Sequence, residues 1–306
     1  MSTTSNAAST RPPAAAPASG ETAADTAAKP TRAATASAPP ARKRRPMLKR
    51  VADHKGAKRA APWVTTLGLF VVWELAVRGF DVPQSVLPTA SESFAAIWTY
   101  RDAIWMHAAQ TLFTTVVGFA VAVVFGLVLG ALVGSSRTIY DALNPMLIGF
   151  NSVPKVAVVP ILVMWFGIGT VPAILTAFLI SFFPIVVNVA TGLATLEPEL
   201  RDVLRSLGAT RRDILMKVGF PRAMPFFFAS LKIAITLAFV GSVLSETVAS
   251  DLGVGYLMIS ASSKFNMPLL FAGLLVIAAM GIAMYELFNQ IERRSTRWAT
   301  RGSGGQ

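Results

Sequence analysis

Residues 197–225 read EPELRDVLRSLGATRRDILMKVGFPRAMP, a charged stretch set between segments that are otherwise apolar. Pro198 suits the first turn of a helix and Gly208 its left-handed stop, so a first short helix is predicted between them. Thr210 followed three residues later by Asp213 has the spacing of a capping box. A second short helix is therefore predicted to start there and to run until Pro221 forbids its continuation. The two helices meet at Gly208 and Ala209. Arg201, Arg205, Arg211, Arg212, Lys217 and Arg222 crowd this one loop, and positive charge marks the cytoplasmic side of short membrane loops. The stretch predicts an all-α integral membrane protein that presents a helix-turn-helix to the cytoplasm.

Outward from that loop the chain is lipid-soluble. It is 53% hydrophobic and 14% charged over 306 residues, with a mean hydropathy of +0.55 even though its first sixty residues are polar. Windows of about twenty apolar residues suffice to cross a bilayer core of about 30 Å, and six candidates occur, at 61–79, 111–133, 145–167, 171–192, 224–246 and 268–288. The basic residues act as a compass. The amino-terminal tail, Arg137, the central loop and Arg293, Arg294, Arg297 and Arg301 form the inside set, leaving Arg78, Arg101 and Lys264 outside. Six spans with both termini cytoplasmic satisfy this asymmetry. The segment 81–110 is then periplasmic, with room for a surface helix.

The formal charge of +12 is unevenly spread. Residues 1–60 hold twelve Lys/Arg against three acidic residues, a net of +9. The first forty are Ala, Pro, Ser and Thr with almost no large apolar side chains, a composition that buries too little surface to fold. A disordered tail is expected, ending in the basic cluster Arg42, Lys43, Arg44, Arg45, Lys49 and Arg50, which holds the amino terminus inside and leans on anionic lipid rather than on nucleic acid. No Cys is present, which removes disulfides, thiolate metal sites and cysteine nucleophiles. The two His, His54 and His107, are too few for a transition-metal centre. No metal site and no bound cofactor are expected, and no paired carboxylates suggest hydrolytic chemistry.

Within the spans, Gly118, Ala122, Gly126, Gly130 and Gly134 recur every four residues. Small residues on one ridge let a second backbone approach closely in lipid, so a tight helix seam is expected against the plainer reading of ordinary glycine enrichment. Pro145, Pro154 and Pro160 interrupt the third span and Pro184 the fourth. Such breaks are tolerated where helices line a cavity or pack on protein. Lys155 and Asn188 sit in those broken helices, and Lys232 and Glu246 in the fifth span. Intramembrane ionisable residues are costly and usually face an interior path, so these four are the candidate translocation-pathway residues. The competing reading has Lys155 snorkel to the interface and Glu246 lie at the outer end. Lys232 and Glu246 are about 21 Å apart along one helix and do not pair within it.

The loop also carries a resemblance. Asp202, Val203, Leu204, Gly208, Val218, Phe220 and Pro221 stand at the spacings of the cytoplasmic signature E-A-A, three residues, G, nine residues, I-x-L-P, found in permease subunits of bacterial ABC importers. The stretches VPKVAVVPILVMWFGIG (153–169), SFFPIVVNVATGL (181–193) and GVGYLM (253–258) resemble the sulfonate, nitrate and taurine group of that family. The resemblance spans roughly residues 85–292. It implies a six-span permease domain at 61–292 with a coupling loop at 195–222, framed by tails at 1–60 and 293–306. It further implies a homodimer in the bacterial inner membrane, a separate ABC ATP-binding subunit that holds ATP and Mg, and a periplasmic substrate-binding protein. Asp202, Arg205, Gly208, Ala209 and Pro221 would form the ATPase-coupling site, and the solute would be nitrate, a sulfonate, taurine, or a thiamine-precursor or aromatic acid. The chain itself contains no G-x-x-x-x-G-K-[ST] phosphate loop, so ATP hydrolysis falls to a partner and the chain is not an enzyme. An ion-coupled secondary transporter is the rival, since it too uses broken helices at the midplane; it has little use for a helix-Gly-helix loop of this kind.

Overall fold

A computed structural model of the chain describes residues 55–194 and 198–295. The amino-terminal tail with its basic cluster, the loop residues 195–197, and Arg297 and Arg301 lie outside the described residues. Within them, all regular structure is helical: α1 Lys55–Gly79, α2 Ala90–Thr99, α3 Arg101–Gly134, α4 Arg137–Ser152, a 3-10 turn Lys155–Val158, α5 Val159–Phe166, α6 Thr170–Ala194, α7 Pro198–Ser206, α8 Arg211–Ile214, a π turn Leu215–Gly219, α9 Phe220–Ala249, α10 Val254–Ser263 and α11 Met267–Ser295. The surface helix expected in 81–110 is α2. It starts at a capping box in which the Glu92 N–H donates to Thr89 Oγ1 (3.2 Å) and the Thr89 N–H to Glu92 Oε2 (2.8 Å).

The core is a three-helix sandwich of α3, α6 and α9. The small-residue ridge of α3 explains why it lies so close to α6. A Cβ added at Gly118 would come within 2.6 Å of Ala177 Cβ and 2.7 Å of the Ile174 carbonyl oxygen, and one at Gly130 within 2.8 Å of Val189 Cβ and 2.9 Å of the Val186 carbonyl oxygen. Gly126 and Gly134 abut Ile185 and Ala190 in the same way, and Ala122 is fully buried. Packing of this kind, rather than water exclusion, drives helix association in lipid. On the other side, Ser230, Ala234, Ala238, Gly241, Ser242 and Ser245 give α9 a similarly lean buried face. α1 packs through Trp73 on Phe271 of α11, ring centroids 5.7 Å apart, and through Phe70 on Phe94 of α2 at 5.4 Å.

Four helical stretches are long and apolar enough to cross a membrane: α3, α6, the run through α9, and α11. The third predicted span is not one rod. α4 and the segment from Lys155 through α5 are bent by 73° at Pro154, one of the prolines expected to break it, and the pair is long and apolar enough for one broken span or a re-entrant loop. The three basic residues assigned to the outside face belong to one end of the bundle. Arg78 reaches Ser91 at the start of α2 (3.4 Å), and Asn266, just past Lys264, donates to the hydroxyl of Tyr100, next to Arg101 (3.1 Å).

The second loop helix departs from the sequence expectation. It does not end at Pro221 but continues through the π turn into α9, with Pro221 in the first turn of α9 and Pro225 within it. A five-residue i→i+5 turn widens the helix and resets the hydrogen-bond register just ahead of the proline, so the missing N–H falls where a helix start leaves donors unpaired.

Candidate functional site

The loop between α6 and α9 is held by bonds between near neighbours. Gly208 has φ +84°, the left-handed region that favours glycine, and nothing lies within 4 Å of where its Cβ would be. The Gly208 N–H donates to the Arg205 carbonyl (2.9 Å) and the Ala209 N–H to the Leu204 carbonyl (3.0 Å). These are the paired bonds of a Schellman stop. The capping box forms as well: the Asp213 N–H donates to Thr210 Oγ1 (3.2 Å) and the Thr210 N–H to Asp213 Oδ2 (3.3 Å). Lys217 Nζ lies 2.8 Å from Asp213 Oδ1. Hydrogen bonding from Lys217, and then from Thr210, holds the Asp213 carboxyl down to about 2. Asp202 and Arg205 are exposed, 3.9 Å apart and three residues apart on one face of α7. Val203 and Leu207 are exposed beside them, 56% and 78%. A capped helix-turn-helix displaying a charged pair and bare apolar side chains is a surface shaped to be met by another protein.

The broken helix carries Lys155 and packs beside Phe183 of α6. Lys155 Nζ donates to Asn151 Oδ1 (3.1 Å) and to the Asn151 carbonyl (3.4 Å), and it lies 5.5 Å from the ring centre of Phe183. The lysine thus caps the last turn of α4, where a cation complements the helix dipole, while staying partly exposed. Phe183 in turn belongs to a ring cluster with Phe150, Phe178 and Phe182, packed on one another face-to-face and edge-on at centroid separations of 5.2 to 6.5 Å. Asn188 Nδ2 donates to the Pro184 carbonyl (2.8 Å), so it is half engaged by its own helix. Lys232 is occupied elsewhere: its Nζ is 2.7 Å from Glu292 Oε2 on α11, with the Tyr285 ring 5.7 Å away. The four predicted residues do not converge on one point. Lys155 and Asn188 belong to neighbouring broken helices, Lys232 to the α9–α11 contact and Glu246 to the far end of α9.

Glu246 is 2% exposed. Its Oε2 accepts from Thr111 Oγ1 (2.8 Å) and from the Gly255 N–H (3.2 Å), and its Oε1 lies 3.3 Å from Ser242 Oγ and 3.4 Å from Thr114 Oγ1, two hydroxyls that are hydrogen-bonded to each other. Beside it the Gly253 N–H donates to His107 Nδ1 (3.1 Å) and the Val254 N–H to Thr111 Oγ1 (2.9 Å). Sequence reading singled out Glu246 but not His107, Thr111, Thr114 or Ser242 as its company. The signal was the four-residue spacings of His107 with Thr111 and of Ser242 with Glu246, each placing polar groups on one face of an apolar helix. A separate groove of about 500 Å³ runs beside α3, lined by Trp105, Leu112, Phe113, Val116 and Met280 among others. It is apolar throughout and offers no group to hold an anion.

The family model described as binding-protein-dependent transport system inner membrane component matches residues 122–297. The riboflavin transport system permease protein RibX of Chloroflexus aurantiacus is 32% identical over 237 residues, 77% of this chain and 88% of that protein. The taurine transport system permease protein TauC of Escherichia coli is 30% identical over 217 residues, 71% of this chain and 78% of that one. Among solved structures, a chain of the MetNI methionine ABC transporter in inward-facing conformations superposes with a TM-score of 0.54 at 21% identity, covering 65% of this chain and 96% of that one. The last likeness is one of fold.

Proposed function

Since the chain belongs to the family of binding-protein-dependent transport system inner membrane components, and is thus an ABC importer permease subunit of the inner membrane, we propose that it forms the solute path of an ATP-driven importer for a small anionic organic solute. The observation that carries the proposal is the exposed, doubly capped loop at Gly208. Its stiffness makes it a lever: a partner that binds α7 and α8 moves α9 directly, because α8 runs into α9 without a break. A separate ATP-binding subunit, holding ATP and Mg, docks there on Asp202, Arg205, Gly208 and Ala209, with Pro221 at the root of the lever. Six spans follow, α1, α3, the α4–α5 pair, α6, α9 and α11, with both termini cytoplasmic. Residues 1–60 and 293–306 form cytoplasmic tails around a permease domain at 61–292. A second copy completes the path, and a periplasmic substrate-binding protein delivers the solute.

For the solute, a sulfonate such as taurine is favoured by Lys155, the cation exposed at a helix break where a water-filled path admits a charged side chain. The Phe183 ring beside that lysine favours a second reading, an aromatic acid or, in line with the name of the RibX relative, a neutral heterocycle. Reconstitution with the ATP-binding subunit and the binding protein tests both. ATP-dependent uptake of taurine, of a short alkanesulfonate and of riboflavin is measured in parallel, with the Asp202→Lys variant as control. The proposal expects one solute class to accumulate and the variant to lose co-purifying ATPase. Wild-type ATPase stoichiometry and wild-type solute-stimulated hydrolysis in Asp202→Lys would remove the loop from the docking site.

A further inference from the structure

Helix α9 runs unbroken from the loop to the buried carboxylate. Phe220 and Glu246, near its two ends, are about 39 Å apart at 1.5 Å per residue, more than the roughly 30 Å of a bilayer core. Loop and carboxylate therefore lie at opposite membrane faces. At the far face α10 begins, and its leading N–H groups have no partner within the helix. Three of them find side chains from other helices instead: Gly253 gives to His107 Nδ1, Val254 to Thr111 Oγ1 and Gly255 to Glu246 Oε2. A carboxylate at a helix amino terminus also complements its dipole. The fit is tight, since a Cβ at Gly253 would overlap the Glu246 carboxyl and one at Gly255 would sit 2.5 Å from the Val243 carbonyl oxygen. Away from water, such bonds are strong and their loss leaves polar groups stranded. α10 cannot tilt away from α3 and α9 while they hold. Its opposite end is exposed, at Ser263, Lys264 and Phe265.

We propose that His107, Thr111 and Glu246 form a positioning clasp that makes α10 move with α9, carrying the displacement of the cytoplasmic loop to the opposite membrane face. The clasp rests on the reading of the loop as the ATPase docking site. It makes Glu246 a positioning residue within the chain and not a contact for the solute.

The chain has no Cys, so Ser263→Cys supplies a single reporter at the exposed end of α10. In the complex with its ATP-binding subunit, in proteoliposomes, labelling by a membrane-impermeant maleimide is timed without nucleotide and with ATP plus vanadate. The parent reporter chain is expected to change its labelling rate by at least about threefold between the two states. Thr111→Val, which keeps the side-chain shape but removes the hydroxyl that joins Glu246 to the Val254 N–H, is expected to abolish that difference and to lower uptake about tenfold, as loss of a hydrogen bond to a charged group would. Basal ATP hydrolysis and co-purification should persist, and Thr111→Ser should restore the response. Glu246→Ala should match Thr111→Val. A nucleotide response in Thr111→Val equal to that of the parent overturns the clasp alone. No response in the parent chain overturns both the clasp and the lever reading of the loop.

Discussion

At the amino-terminal end of α9, the bonds described in the loop join residues three to five positions apart: Gly208 to Arg205, Ala209 to Leu204, Asp213 to Thr210. At its carboxy-terminal end the bonds that fix α10 join Thr111 to Glu246, Gly253 to His107 and Val254 to Thr111, spanning 135, 146 and 143 residues. The first end is exposed and is held by local bonds. The second is buried and keeps its shape only because three helices arrive together. One helix thus joins a locally bonded loop to an element that exists only in the folded bundle.

A glycine at each end breaks the comparison most sharply. Gly255→Val drives a side chain into the Val243 carbonyl and the Glu246 stem, whose Cβ lies 2.9 Å from the added Cβ. Overpacking of about 1–3 kcal/mol, added to the loss of the clasp, should remove most folded protein from the membrane, measured as detergent-extractable monodisperse permease. Gly208→Val meets no atom and is strained only by its positive φ, at about 1–2 kcal/mol. Membrane abundance should stay near wild type while solute uptake is lost, and Gly208→Asn should retain most of it because asparagine tolerates the left-handed region. Normal uptake in Gly208→Val would show that the turn is not the hinge of the docking loop.

Lys155 sharpens the comparison from between the two ends, since it joins a local cap at Asn151 to a distant ring at Phe183. Lys155→Met should lower uptake of an anionic solute several-fold while basal ATP hydrolysis changes little, and Lys155→Arg should keep most uptake. Uptake within about twofold of wild type for the methionine variant, at matched expression, would reduce the lysine to a helix cap. The smallest effect belongs to the capping box. Asp213, held down to about 2, contributes loop stability that is fully present above its ordinary value of 3.8 and is lost only as pH falls toward 2. ATPase docking should therefore be flat between about pH 5 and pH 8 as far as this group is concerned. Thr210→Val should weaken docking by less than about twofold in a binding titration. A steep fall in docking at mildly acidic pH would place another group in control.

The sequence by itself determined the helical membrane character, the proline break at Lys155, the α3 ridge and the loop with its Gly208 stop and Thr210 cap. Each is written in near-neighbour spacing, apolar run length or the chemistry of glycine and proline, which act before the chain is folded. It misread the end of the second loop helix, because a π turn's shift of register is set by packing and not by Pro221 alone. Only the tertiary structure decided that Lys232 pairs with Glu292, that the α3 ridge meets α6, and that Glu246 closes on the start of α10 with Thr111 and His107. Lys232 and Glu292 are 60 positions apart, and Gly253 and His107 are 146. A polar residue on an apolar helix announces that it needs a partner, but bonding potential has no direction in sequence. Its partner is fixed by how closely the glycine- and alanine-lined helices approach.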